Sequence, residues 1–305
     1  MAVEKRAIVT GAAGFTGPYL CAELIRRGYE VNAIVHKSHG ALTDVATHAV
    51  DLNDADAMQN LLRDVDPTHI FHLAGISFAA HGDLSELYSV NVILAEKLLQ
   101  AAQKVCGRLE KLVLPSSATV YGAPGEKRCV ETDPLQPVDH YGGSKAALEC
   151  IARGYFSALP IVVIRPFNYA GVGQNDRFLL PKIVGRFAEG ARQIELGNLE
   201  VTRDFSDVRD VVIDYVDLAE ASISGDVVNI CSGDGATIAT ILGHLERISG
   251  FSVDVQVNRN FVRARDIPFL VGDPSHLREI CGTRERIALP ETLTWMYEAM
   301  ARAIA

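Results

Sequence analysis

The stretch Ala7-Ile8-Val9-Thr10-Gly11-Ala12-Ala13-Gly14-Phe15-Thr16-Gly17 decides the fold. An apolar run meets three glycines at a spacing of three. A helical pattern then follows over 18–27, with Tyr19, Leu20, Ala22, Leu24 and Ile25 among its members. That order is strand, tight turn, helix. Glycine lets the backbone turn sharply and approach a ligand closely. The first turn of the helix presents free N–H groups and a partial positive charge, which suit a phosphate. The spacing G-x-x-G-x-x-G differs from the common G-x-G-x-x-G. A plain structural turn would also use glycines, but the position directly after a buried strand favours nucleotide binding.

The 305 residues allow one or two domains and a large core. With 48% hydrophobic and 22% charged residues, the composition is that of a soluble α/β protein. The net charge is −9 and no basic run occurs, which argues against nucleic acid as a partner. An acidic chain that takes an anionic ligand must gather arginine or lysine at one place. Six cysteines (21, 106, 129, 150, 231 and 281) lie far apart, without C-x-x-C, as reduced thiols would. No signal-peptide pattern opens the sequence and no stretch is apolar enough to span a bilayer, so a cytoplasmic, membrane-free protein is expected.

Strand and helix patterns alternate as far as residue 166. Residues 30–35 form a second strand that ends at His36-Lys37-Ser38 without an acid. An acid there would grip the ribose hydroxyls of NAD and repel a 2′-phosphate. His36 and Lys37 favour NADP(H), with NAD(H) open. A third strand over 45–50 ends in Asp51-Leu52, candidate adenine contacts, although Asp51 equally suits a turn cap. Asn53 or Asp54 caps a helix to about residue 65. Residues 68–75 form a fourth strand whose small end, Leu73-Ala74-Gly75, lets a cofactor lie against the backbone. A long helix covers 84–105, with Asn91 placed to bridge it to a neighbouring strand. A fifth strand over 109–117 runs into Ser116-Ser117-Ala118-Thr119. After a proline-rich loop, Tyr141-Gly142-Gly143-Ser144-Lys145 opens a helix to about residue 158, and 160–166 is a sixth strand, a continuous apolar run ending in Arg165-Pro166. This is a doubly wound, Rossmann-like parallel sheet. Later pieces are shorter: helices over 177–189, 208–223 and 237–250, a strand over 227–230 that rejoins the sheet, another over 253–257, and two helices from Pro274 and Pro290. The expected division is a cofactor domain of 1–168 plus about 205–231, and a smaller C-terminal α/β substrate domain of about 169–204 plus 232–305.

Tyr141 and Lys145 are four apart on a helix and share a face. A nearby ammonium stabilises a phenolate, and so does an oxidised nicotinamide, which makes the tyrosine usable as acid or base. Lys145 also suits the nicotinamide ribose. Ser117 stands at the end of the fifth strand, where adjacent strand ends meet at a crevice. Its hydroxyl can orient a carbonyl or alcohol, with Ser116 or Thr119 assisting. No metal-ligand spacing occurs.

Together the glycine turn, the strand-end serine and Y-x-x-x-K resemble the extended short-chain dehydrogenase/reductase family. Gly11, Gly14, Phe15, Thr16 and Gly17 look like its cofactor turn, and Ser117, Tyr141 and Lys145 match its catalytic triad. Arg165-Pro166-Phe167-Asn168, Gly197-Asn198-Leu199 with Arg203-Asp204-Phe205, and Arg263-Ala264-Arg265-Asp266 resemble the nucleotide-sugar branch. The resemblance implies an NAD(P)-dependent oxidoreductase. Arg203 and Arg263 would hold a diphosphate and Asp266 a ribose hydroxyl, with Asn168 and Thr119 as further substrate contacts.

Within the branch, Ala118-Thr119 stand where dehydratases carry an acidic pair, so 4,6-dehydration is not expected. The pattern implies reduction of the C4 ketone of a GDP-linked 4-keto-6-deoxy-hexose, GDP-4-keto-6-deoxy-D-mannose to GDP-D-rhamnose. The alternatives are a nucleotide-sugar 4-epimerase with tightly bound NAD, a 4-reductase giving GDP-6-deoxy-talose or acting on a 6-deoxy-heptose, and a non-catalytic NADP-binding regulator. Departures from the family are His140 before the tyrosine, Tyr169 where histidine is common, Gly282-Thr283 in place of Gly-Trp, and the loop over 266–269. The family also implies a homodimer through the helices at 84–105 and 141–158.

Overall fold

The computed structural model describes residues 4–36, 42–77, 82–258 and 267–304. β1 (Arg6–Thr10) passes through the glycine turn into α1 (Thr16–Arg26), followed by β2 (Glu30–Val35), β3 (Ala46–Ala49), α2 (Ala55–Val65) and β4 (His69–His72). Then α3 (Leu84–Tyr88), a single π turn (Ser89–Ile93) and α4 (Leu94–Val105) run on as one helix. β5 (Lys111–Pro115), a 3-10 turn (Ala118–Tyr121), α5 (His140–Arg153) and β6 (Ile161–Pro166) complete the first part. The second part holds β7 (Asn168–Ala170), α6 (Leu179–Ala188), β8 (Gln193–Leu196), β9 (Thr202–Asp207), α7 (Val208–Glu220) and β10 (Asp226–Ile230). It closes with β11 (Gly235–Thr237), α8 (Ile238–Ser249), β12 (Asp254–Val257), β13 (Phe269–Leu270), α9 (Ser275–Cys281) and α10 (Leu289–Ile304).

Seven strands form one parallel sheet in the order β10-β6-β5-β4-β1-β2-β3. Side chains alternate across it, as strand geometry requires. Ala7 and Val9 face a core closed by α1 and α7, while Ile8 faces a second core closed by α2, α4 and α5. Both faces are covered, so the inner strands are continuously apolar, as in Ile161-Val162-Val163-Ile164. The chain builds outward from β1 to β3 and then returns to β4 on the other side. That reversal leaves a crevice between the carboxyl ends of β1 and β4, where such sheets bind ligands. The Rossmann-like expectation is met.

The smaller body packs α6, α8 and α10 against β8 and β9 around Ile183, Phe187, Ile241, Leu245 and Met296. α7 returns to the large sheet, where Val211, Val212, Tyr215 and Val216 enter the first core, and β10 pairs with β6. The chain passes from the smaller body back to the large sheet between β9 and α7. Leu277 of α9 packs in the first core, so 275–281 lies with the sheet and not with the smaller body. Its apolar pattern showed a helix but not the surface that the helix covers.

The helix starts have visible causes. Asp54 caps α2, accepting from the N–H groups of Asp56 at 3.1 Å and Ala57 at 3.0 Å. The π turn in the long helix was not expected; it inserts one residue per turn beyond the α repeat and re-aims Asn91. Among the described residues no helix is long and apolar enough to cross a membrane.

Both histidines of β4 are buried. The His72 Nδ1 lies 2.8 Å from Thr10 Oγ1, and burial pulls the imidazole down to about 3. The unfolded chain takes up a proton near the ordinary value of 6.5, while the folded chain does not. Stability from this group is therefore complete above pH 6.5 and is lost as the pH falls toward 3. The expected slope is about 1.4 kcal/mol per pH unit. Urea denaturation between pH 7 and pH 5 should show it, and His72→Asn should flatten the curve by about one proton's worth.

Candidate active site

A cavity of about 470 Å³ opens at the carboxyl ends of β1, β4 and β5 and extends to β9 of the smaller body. Its floor is set by close backbone approach. Gly11 has φ +67°, and a Cβ there would lie 2.6 Å from the Ala74 nitrogen. A Cβ on Gly17 would lie 2.0 Å from the Ala12 carbonyl oxygen. Gly14 N–H donates to Gly11 O at 2.9 Å, which closes the turn. α1 then starts at the cavity. Aspartate side chains cap α2, α5 and α7, whereas no side chain caps α1. In its first turn Gly17 N–H donates to Gly14 O at 3.2 Å, Pro18 has no N–H, and no side chain supplies an N-cap acceptor. A tight glycine turn and an uncapped helix facing a cavity fit the diphosphate of a dinucleotide.

The three expected reacting groups come together. Ser117, Tyr141 and Lys145 all line the cavity and are at most 9% exposed. α5 is fixed by Asp139, which accepts from Gly142 N–H at 2.8 Å. Ser116 and Thr119 line the cavity as well. Thr119 Oγ1 donates to Ser117 Oγ at 2.9 Å, while Ser116 Oγ donates to the buried Glu149 carboxylate at 2.6 Å.

One electrostatic expectation is corrected. Lys145 Nζ donates to the Pro115 carbonyl at 2.9 Å. The group that favours the phenolate is the hydrogen-bonded Ser117, and it is outweighed by burial, which pushes the Tyr141 phenol up to about 12. Burial pulls the Lys145 ammonium down to about 8, opposed by the charge of Glu149. In the protein's own field the phenol is a protonated acid. Spacing on a helix shows that two side chains share a face, but not which acceptor the ammonium takes.

Asn91 bridges from its helix, but to the loop after β4 and to α5 rather than to a strand. Its Oδ1 accepts from Ile76 N–H at 2.8 Å, and its Nδ2 donates to Ile76 O and to Ser144 Oγ, both at 3.0 Å. It thereby ties the loop after β4 to the residue before Lys145. The π turn supplies this aim.

The other expected contacts divide. Phe15, Thr16, Leu73, Gly75, Asn168 and Arg203 line the cavity. Ala74 sits within the same strap and donates its N–H to Thr10 Oγ1 at 3.1 Å. Asn168 Nδ2 donates to Asp204 O at 3.3 Å, and Arg203 Nη1 to Thr202 O at 3.0 Å. His36 is exposed just past β2. Asp51 accepts from Asn53 N–H at 2.9 Å, the turn-capping alternative, and Leu52 packs against the second core. Lys37, Arg263 and Asp266 lie outside the described residues.

Among the cavity residues that sequence reasoning missed are two tyrosines. Tyr169 stacks on Phe15, with ring centres 6.0 Å apart, and its hydroxyl lies 2.8 Å from Thr16 Oγ1. Tyr215 of α7 hydrogen-bonds to Tyr169. Tyr169 was visible only as a departure from the usual histidine, and Tyr215 was hidden in an apolar helical run.

A family model described as the NAD dependent epimerase/dehydratase family matches residues 7–231. The chain belongs to that family. The match bears out the resemblance to extended short-chain dehydrogenases/reductases and identifies an NAD-dependent enzyme of the oxidoreductase and epimerase type. Its relatives lie in the nucleotide-sugar branch. The chain is 35% identical over 282 residues to a GDP-6-deoxy-D-talose 4-dehydrogenase of Aggregatibacter actinomycetemcomitans, covering 92% of each protein. It is 29% identical over 302 residues to a GDP-6-deoxy-D-mannose reductase of Pseudomonas aeruginosa, covering 95% of each. The crystal structure of a Thermus thermophilus UDP-glucose 4-epimerase in complex with NAD superposes with a TM-score of 0.86. It is 28% identical, with 97% of this chain and 98% of that chain covered.

Replacing Asn91 with Ala removes three hydrogen bonds and leaves the Ile76 N–H and C=O without their side-chain partner. The expected cost is about 1–3 kcal/mol in urea denaturation, with a parallel loss of turnover because Ser144 and the Lys145 turn are released. An unchanged midpoint and rate would contradict this bridge.

Proposed function

We propose that this protein is an NAD(P)H-dependent oxidoreductase acting at C4 of a GDP-linked 4-keto-6-deoxy-hexose. The observation that carries the reading is the single cavity in which the glycine turn, the Ser117–Tyr141–Lys145 group and Arg203 meet. In this reading the uncapped start of α1 and the turn at Gly11, Gly14 and Gly17 hold the cofactor diphosphate. Leu73, Ala74 and Gly75 pass beneath it, Asp51 and Leu52 lie toward the adenine, and Lys145 holds the ribose. The chemistry that the cofactor supplies when bound is transfer of two electrons and a hydrogen to the sugar carbon. His36 and Lys37, with no acid after β2, favour NADP(H) over NAD(H).

The residues of the chain supply the rest. Ser117, supported by Thr119, orients the ketone oxygen. Tyr141, a protonated phenol at neutral pH, gives its proton to that oxygen, which is the role reduction requires. Arg203, joined by Arg263, holds the nucleotide diphosphate and Asp266 the ribose, with Asn168 also against the substrate. The GDP-6-deoxy-sugar relatives support the substrate class.

Reduction of GDP-4-keto-6-deoxy-D-mannose at C4 yields one of two epimers. The manno product is GDP-D-rhamnose, the outcome expected from sequence. The talo product is the second reading, favoured by the 35% identity to the talose enzyme against 29% to the mannose enzyme. A homodimer through the helix that carries Leu84 and Ile93, 43% and 50% exposed, is part of the same proposal.

Incubation with GDP-4-keto-6-deoxymannose and NADPH or NADH should oxidise the cofactor, with the higher kcat/KM for NADPH. A large H3–H4 proton coupling identifies the manno product and a small one the talo product. Tyr141→Phe should lower turnover about a hundredfold. Interconversion of C4 epimers by bound NAD, with no consumption of added reductant, would replace this reading by an epimerase. Light scattering should give twice the 33.0 kDa chain mass; the monomer mass would reject the dimer.

A further inference from the structure

Behind the cavity lies an ion pair that no expected function uses. Arg165 of β6 and Glu149 of α5 are 1% and 0% exposed. Arg165 Nε donates to Glu149 Oε1 at 2.9 Å and Nη2 donates to Oε2 at 2.7 Å, a two-pronged clamp. Its Nη1 reaches the Tyr121 hydroxyl at 2.8 Å and the Glu131 carbonyl at 3.0 Å. The guanidinium carbon lies 4.8 Å from the centre of the Tyr121 ring. Tyr121 in turn donates to Asn229 Oδ1 of β10 at 2.7 Å.

A buried ion pair is a poor source of stability, since desolvation cancels much of the attraction. Apolar replacements of equal volume are often as stable or more so. What this pair has is position. Glu149 is one helical turn past Lys145 and two past Tyr141 on α5. Its Oε1 also accepts from Ser116 Oγ at 2.6 Å, and Ser116 precedes Ser117. Arg165 lies three residues before Asn168. One carboxylate therefore joins the backs of the strand end and the helix that carry the three reacting groups.

We propose that Glu149, clamped by Arg165, is a positioning residue for the reacting groups: it locks the Ser116–Ser117 strand end against α5 and holds a negative charge behind Lys145. The inference rests on the reading of Ser117, Tyr141 and Lys145 given above. The groups around Lys145 are Glu149 and Tyr141 from its own helix, the buried His72 from β4 and the Pro115 carbonyl from β5. Those facing Glu149 are Arg165, Ser116 and, at 3.9 Å, Arg153. Glu149 is the acid that supports the ammonium.

Three variants separate positioning from packing. Glu149→Gln keeps the shape and removes the charge. The double variant Glu149→Leu with Arg165→Met removes both charges and keeps the volume. Ser116→Ala removes only the bond to the strand end, so it tests the lock even if the other two fail to fold. Each is measured by melting temperature, by kcat and KM with GDP-4-keto-6-deoxymannose and NADPH, and by ¹⁵N-detected titration of Lys145 in the protein alone. Expected are KM values within about twofold, kcat lowered about tenfold or more in the Glu149 variants and about fivefold in Ser116→Ala, and a Lys145 titration moved down by about one unit in Glu149→Gln. Native kcat in Ser116→Ala, or in a folded double variant, together with an unmoved Lys145 titration, would overturn the proposal. If the native protein leaves the GDP sugar unchanged while Lys145 still shifts, the substrate reading fails and the positioning role stands.

Discussion

The contact on which the molecule depends is the meeting of two backbones at the ends of β1 and β4. Gly11 lies so close to Ala74 that a single added methyl carbon would overlap the main chain. Thr10 stitches the same place, accepting from Ala74 N–H at 3.1 Å and facing His72 at 2.8 Å. With these strands pressed together, α1 leaves the sheet pointing its uncapped start into the crevice. The cavity floor, the helix direction and the distance from the turn to Tyr141 all follow from that approach. The reversal of strand order at the same point keeps crossover helices out of the crevice.

Much of this was legible in the sequence because it rests on local rules. A glycine turn between an apolar strand and an amphipathic helix has few other uses, and a continuous apolar run such as 161–164 belongs to a strand covered on both sides. Tyr141 with Lys145 was readable from helical spacing, and Ser117 from its place at a strand end. What escaped was set by tertiary contacts. Arg165 read as a substrate-side motif residue but turns inward to Glu149. Tyr215 looked like core, and only the fold shows that its hydroxyl meets Tyr169 in the cavity. The π turn is one turn inside a long helix and was not read from the residue types over 89–93. How far the Tyr141 phenol is raised depends on how deeply the ring is buried, which spacing does not reveal.

The acidic balance of the chain also has a structural use. Asp210 and Asp214 on α7 are nearly fully buried, and both are met by arginines from the segment before α10. Arg286 Nη2 reaches Asp214 Oδ2 at 2.8 Å, and Arg284 contacts both acids. Asp207 at the start of α7 accepts from Thr292 of α10 at 2.8 Å. The last helix of the smaller body is thus fastened to a helix of the large sheet. Tyr19 of α1 reinforces this by donating to Val172 O at 2.7 Å and meeting Trp295 edge-on at 6.1 Å. The two walls of the cavity are held at a fixed spacing, as a site that must align two ligands requires.

The position of β10 has a consequence for biosynthesis. This strand closes the sheet beside β6, yet it is encoded some sixty residues later (226–230 against 161–166), after most of β7 to α7. A ribosome reading from the amino end therefore releases six strands whose outermost member is a bare, largely apolar ribbon. Until residue 230 emerges, that ribbon offers its unpaired amides to any neighbouring nascent chain. Slow translation or a premature stop in this interval would leave a half-built sheet, so the vulnerable moment in the life of this enzyme comes before its catalytic groups can meet a substrate.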